Sequence, residues 1–321
     1  MDNQKIVHIS SISKKLVVAL LGAFLLFFLL FHMVANLCIL RNDGGEWYSA
    51  FCHFMTNPFV KVMEIVLMAC LFFHIVITIY LWFCNRKARP VRYHQPSRTK
   101  TAMGSKITII TGVLFLCFLA IHFCNFYFVK LGFVEGSYIM KTEELEKNMG
   151  ALEQNPKIES AMVYLQSVNI MSEKDVYALK DELNAKENLT IEEADALDYI
   201  NLESALMTMS NDGRLAPGNQ YIHNMNAEEK EAITKFLGKK GVEPDFYYMA
   251  RNLFGNALYC LIYIICFGVL WFHLRHAFEA AFQTLGLNNY KYNRAIELVG
   301  LAYATLVCGG FAIVPVFVFL F

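Results

Sequence analysis

Five stretches of this chain are apolar for long enough to cross a bilayer, and that constrains the fold more than any other feature. They are residues 16–40, 59–83, 107–129, 253–273 (with a helical continuation to 285) and 298–321. Roughly 30 Å of hydrocarbon takes about 20 helical residues. Lipid offers no hydrogen bonds to an open backbone, so each run must close its own ladder as a helix. Run 16–40 is too long for the apolar part of a signal peptide, and no small-residue cleavage site follows it. It is read as the first span. A chain that is 56% hydrophobic, with a mean hydropathy of +0.38, fits this reading and not a soluble domain. The expected fold is an all-α integral membrane protein. It has a five-transmembrane-helix bundle and a large helical extracytoplasmic insertion between helices 3 and 4. The segments are residues 1–130, 131–250 and 251–321.

Charge gives the orientation. The net charge is zero, so nothing points to nucleic acid, but residues 131–250 hold 11 Lys/Arg against 22 Asp/Glu. The rest of the chain is correspondingly basic, and its basic residues cluster at particular span ends. Lys14 and Lys15 precede span 1. Arg86, Lys87, Arg89, Arg92, Arg98, Lys100 and Lys106 fill the connection between spans 2 and 3. Arg275, Lys291 and Arg294 flank that between spans 4 and 5. The connection between spans 1 and 2 has only Arg41, against Asp43 and Glu46. Positive charge stays on the cytoplasmic side. The N-terminus is therefore expected in the cytoplasm, with the C-terminus and the 131–250 insertion outside.

Within the insertion, Ser172-Glu-Lys-Asp175 and Thr190-Ile-Glu-Glu193 resemble capping boxes. Val176, Leu179 and Leu183 follow the first at helical spacing, and Ala194, Leu197, Ile200 and Leu202 follow the second more loosely. Gly238 and Gly241 read as a stop. Short polar helices are expected, without catalytic spacing. None of the nine cysteines lies between Cys124 and Cys260, and no C-x-x-C occurs. They are read as small apolar fillers.

Histidines carry the chemistry. His32, His74, His122 and His273 stand inside four different spans. A polar ring in hydrocarbon needs a partner, and one alone is accounted for by a bond to a neighbouring helix. Four on four helices fall into pairs by depth. His32 lies ten residues inside Asn42 and His122 eight inside Lys130, roughly 12–15 Å down. His74 lies 16 residues inside Pro58 and His273 lies 22 beyond Arg251, roughly 24–33 Å down. Two imidazoles at one level on facing helices can clamp a heme iron. Two such pairs would stack an outer heme, on His32 and His122, over an inner heme, on His74 and His273. The absence of C-x-x-C-H argues against covalent attachment. Gly22 and Gly112 each stand ten residues before a histidine, and Asn36 and Asn125 follow His32 and His122. The glycines suit a close approach of a macrocycle, and ordinary small-residue helix packing accounts for them equally. His276 is a second ring one turn after His273. His8, His53, His94 and His223 fall in connections or termini and are expected in solvent.

These residues also resemble a family. Asn85-Arg-Lys-Ala-Arg-Pro-Val-Arg-Tyr93 and Phe272-His-Leu-Arg-His-Ala-Phe-Glu-Ala-Ala-Phe-Gln-Thr-Leu-Gly286 look like segments of the cytochrome b membrane subunit of succinate:quinone oxidoreductases. The likeness is to the single-anchor, di-heme form of succinate dehydrogenases and fumarate reductases, and it covers residues 10–130 and 245–321. It implies heme ligation by His32 with His122 and by His74 with His273, the glycine thirteen residues on favouring His273 over His276. Arg275 and His276 become neighbours of the inner heme, bonding a propionate. Two heme b groups and a quinone of menaquinone type are implied in this chain. FAD and iron–sulfur clusters belong to a flavoprotein and an iron–sulfur partner subunit on the cytoplasmic face of a bacterial inner membrane. No dicarboxylate site is expected here, and there is room for a higher oligomer of the complex. Glu64, the one carboxylate inside the first three spans, is the candidate proton acceptor for the quinone; the alternative is a neutral carboxyl that packs helices. Some members carry a glutamate two residues before the fourth-span ligand, where this chain has Trp271. The insertion is also longer than that plan needs. A di-heme anchor of a hydrogenase or formate dehydrogenase is the nearest alternative, and a transporter with intramembrane histidines a third.

Overall fold

The computed structural model describes residues 11–88, 103–152, 155–168, 170, 172–238, 241–287 and 289–321. His8, Arg89, Arg92, His94, Arg98 and Lys100 therefore lie outside the described residues, as does the end of the Asn85–Tyr93 motif.

Among the described residues five helices are long and apolar enough to cross a membrane. Helix α1 (Ser11–Leu37) continues through a 3₁₀ turn, Cys38–Leu40. A short helix α2 (Glu46–Phe54) follows. Helix α3 (Pro58–Lys87) starts where a start is cheapest: Pro58 fills the first helical position and the Asn57 side chain accepts from the Phe59 N–H. Helix α4 (Met103–His122) runs without a break into a π-helical turn, Phe123–Tyr127, and a last turn α5 (Phe128–Lys130). The fourth span begins later than its apolar run does. Residues 253 and 254 end a separate helix α11 (Phe246–Phe254), and α12 (Ala257–Thr284) restarts because the Asn256 side chain accepts from the Leu258 N–H. The last span is α13 (Asn293–Leu320).

The chain divides into two compact units, residues 1–123 with 251–321, and residues 124–250. In the first, α12 packs against α13 and α4, while α1 packs against α3, α12 and α13. Tyr303 on α13 donates a hydrogen bond to the Leu26 carbonyl on α1, and the Trp271 indole on α12 donates to Thr305 Oγ1 at 3.0 Å. Most outward side chains of α3 are bare (Phe59, Ile65, Phe72, Phe83), as expected where lipid tails take the place of protein neighbours.

The second unit is helical in the main: α6 (Thr142–Leu152), α7 (Pro156–Ser167), α8 (Glu173–Ala185), α9 (Ile191–Asn211) and α10 (Ala227–Leu237). Both expected capping boxes form, Ser172 with Asp175 and Thr190 with Glu193, and a third joins Asn226 to Glu229. Leu179, Leu183 and Ile200 are buried together as their spacing predicts. The purely helical expectation missed a small antiparallel sheet of order β2-β1-β3, made of β1 (Tyr138–Lys141), β2 (Tyr221–Met225) and β3 (Val242–Pro244). Strands of three to five residues are too short to show a period of two. Their pairing, Tyr138 with Met225 and with Pro244, joins segments far apart in sequence. The sheet lies on a core that includes Met140, Met209, Ile222, Met225 and Ile233.

Candidate functional site

The outer pair meets. His32 on α1 and His122 at the end of α4 stand with ring centroids 6.0 Å apart and planes at 77°. A metal bound by two imidazole nitrogens at roughly 2 Å each leaves the ring centres roughly 6 Å apart, so the gap suits one ion. Aromatic neighbours wall it. His32 stacks on Phe28 at 5.3 Å and His122 on Phe118 at 5.8 Å, with Phe311 and Tyr263 beside them. Asn36, one turn after His32, donates Nδ2–H to the His32 carbonyl at 2.8 Å, while Tyr48 Oη on α2 donates to Asn36 Oδ1 at 3.5 Å. Asn125 lies within the π turn. Such turns inside helices occur often at functional sites, and no residue pattern in 123–127 announces this one.

The inner pair is built differently. His74 on α3 and His273 on α12 lie close enough to interact electrostatically. Each faces a glycine on another helix. A Cβ placed on Gly22 would stand 3.5 Å from His74 Cε1, and one placed on Gly112 would stand 3.5 Å from His273 Cε1. The glycines therefore serve the histidines of neighbouring helices, and the ten-residue spacing to His32 and His122 is the distance between two levels, about 15 Å. The repetition extends further. The Val18 backbone, four residues before Gly22, lies beside the His74 ring, and the Thr108 backbone, four before Gly112, lies beside His273. His74 Nδ1 is buried without a hydrogen bond of good geometry. His273 Nδ1 has Thr111 Oγ1 at 3.5 Å. An orphaned ring nitrogen in hydrocarbon is the state a missing partner or ligand would leave.

The remaining candidates are placed as follows. Glu64 is half-buried on α3, ten residues before His74. Arg275 holds two carboxylates of its own chain, Glu297 at 3.4 Å and Glu279 at 3.9 Å, where the resemblance implies a propionate. His276 is half-buried and close enough to His273 to influence it. His53 is exposed, as expected. His223 is not: its Nδ1 bonds Asp245 Oδ2 at 2.9 Å, and Asp245 is buried. A residue assigned to a connection is here the middle of β2, so the expectation of a solvated ring is overturned. Among the described residues no three His, Cys, Asp or Glu side chains converge on one point.

Comparison with models of protein families, with curated proteins and with solved structures finds no match to this chain.

Proposed function

We propose that this chain is a di-heme cytochrome b membrane anchor that moves electrons between a membrane quinone and the iron–sulfur subunit of a succinate dehydrogenase or fumarate reductase complex. The observation that supports it most is the pairing of four intramembrane histidines on two levels, with the outer rings separated by the width of one bis-imidazole metal site. The residues fit the group at both levels. Aromatic walls surround the outer pair, while glycines keep the backbone clear beside each inner ring. A heme b at each level would supply a one-electron carrier.

His32 with His122, and His74 with His273, would hold the two irons in this reading. Their offset of about 15 Å along the bundle divides the membrane into two short transfers. The apolar shell of Phe28, Phe118, Phe267 and Phe311 keeps water from the outer site. Glu64 lies ten residues outward of His74 along α3, which puts it about 15 Å away and so near the level of the outer pair. There it accepts a proton from a quinol hydroxyl. An ionisable group at membrane depth is a functional candidate by default. In this reading the Lys and Arg distribution favours a cytoplasmic N-terminal end of α1 and a cytoplasmic α3–α4 connection in a bacterial inner membrane, where the basic face would suit an acidic partner. The 131–250 insertion is then outside.

The test is affinity purification from native membranes. Copurification of a flavoprotein with covalent FAD and an iron–sulfur subunit supports the reading. Hydrogenase or formate dehydrogenase subunits in their place would overturn the partner assignment and leave the hemes.

A further inference from the structure

The two inner histidines are packed alike but bonded unlike, and the difference falls on one residue. Three positions recur: Val18, Leu21 and Gly22 on α1, and Thr108, Thr111 and Gly112 on α4. In each set the first contributes a backbone carbonyl beside the ring, and the last leaves room for it. The middle position differs. Leu21 offers His74 nothing polar, and His74 Nδ1 makes no hydrogen bond of good geometry beyond the approach of the Val18 carbonyl. Thr111 is 6% exposed, its hydroxyl donates to the Thr108 carbonyl at 3.0 Å, and its oxygen lies 3.5 Å from His273 Nδ1.

We propose that Thr111 is a positioning residue for His273, its hydroxyl oxygen accepting the Nδ1–H so that Nε2 is turned to the inner iron. The inference rests on the heme reading above. With its hydrogen committed to Thr108, the hydroxyl can only accept from the imidazole, which fixes the tautomer with Nε2 free. A hydrogen-bond acceptor on the outer nitrogen also makes the ligand a stronger base. A more basic ligand favours ferric iron and holds the potential of that heme down. No sequence pattern announces this role, because a threonine in an apolar run looks like any β-branched helix residue.

Thr111→Val removes the hydroxyl and keeps the shape. Redox titration of the purified complex, followed by heme absorbance and by electron paramagnetic resonance, is expected to show one potential raised and the other unchanged. The expected shift corresponds to a three- to tenfold change in the reduction equilibrium, about 30–60 mV for a one-electron couple. Thr111→Ser should restore the original value. Two hemes with unmoved potentials in Thr111→Val would overturn the assignment alone. Loss of the inner heme in both variants would assign Thr111 to packing and overturn it too. A wild-type complex without heme would overturn this inference together with the reading it rests on.

Discussion

Gly112 on α4 faces His273 on α12 so closely that an added Cβ would rest against the imidazole, 3.5 Å from Cε1. Gly22 stands in the same relation to His74, at the same distance. Two helix pairs, α1 with α3 and α4 with α12, therefore present an inner histidine to a neighbour's glycine in one repeated arrangement. At 3.5 Å a methyl group touches without overlap, whereas a branched side chain would displace the ring. Gly112→Ala is expected to retain both hemes. Gly112→Leu should lose the inner one and keep the outer, as read by pyridine hemochrome stoichiometry; loss of the outer heme instead would contradict the arrangement.

Ligand removal tests the pairing itself. His32→Ala and His74→Ala should each leave one heme b per chain, and their residual spectra should differ because different sites survive. Identical residual spectra, or two hemes in either variant, would break the assignment of levels.

In the proposed reading Glu64 would accept the quinol proton without holding a heme. Glu64→Gln is expected to abolish quinol oxidation while heme content and succinate oxidation with an artificial acceptor stay at wild-type values. Retained quinol activity would reduce Glu64 to a packing carboxyl.

How much of this was legible beforehand depends on the residue. Depth along a helix is a count of residues, so the two histidine levels could be read without coordinates, and the meeting of His32 with His122 agrees with them. Which helix a given face meets is not written in the sequence. Spacing associates Gly22 with His32 of its own helix, and only packing shows that it serves His74. Thr111 escaped notice for the same reason. Capping boxes are local, so Ser172 and Thr190 were found where expected. The sheet that joins Tyr138 to Met225 and Pro244 is non-local, and it was missed along with the His223–Asp245 pair at its margin. An apolar count starts the fourth span too early because it does not register the cap at Asn256.

The unit of residues 124–250 has its own weak point. Arg214 grips the buried Glu229 with two bonds, 2.7 and 2.9 Å, and this carboxylate raises the affinity of the guanidinium for its proton. Removing Arg214 leaves Glu229 buried without its counter-charge, which destabilises by about 3–5 kcal/mol. Arg214→Ala in the full-length protein should therefore speed proteolysis within 124–250. Arg41→Ala breaks an exposed contact with Asp43 at 3.2 Å and the approach of the guanidinium over the exposed Trp47 ring, and should change stability by less than about 1 kcal/mol. Equal protection of the two variants would contradict the burial argument.

The most direct test is the heme content of the detergent-purified protein, expressed with ample heme and quantified by pyridine hemochrome. Two b-type hemes per chain are predicted, with low-spin spectra of bis-imidazole iron. A colourless preparation would contradict the account at its foundation.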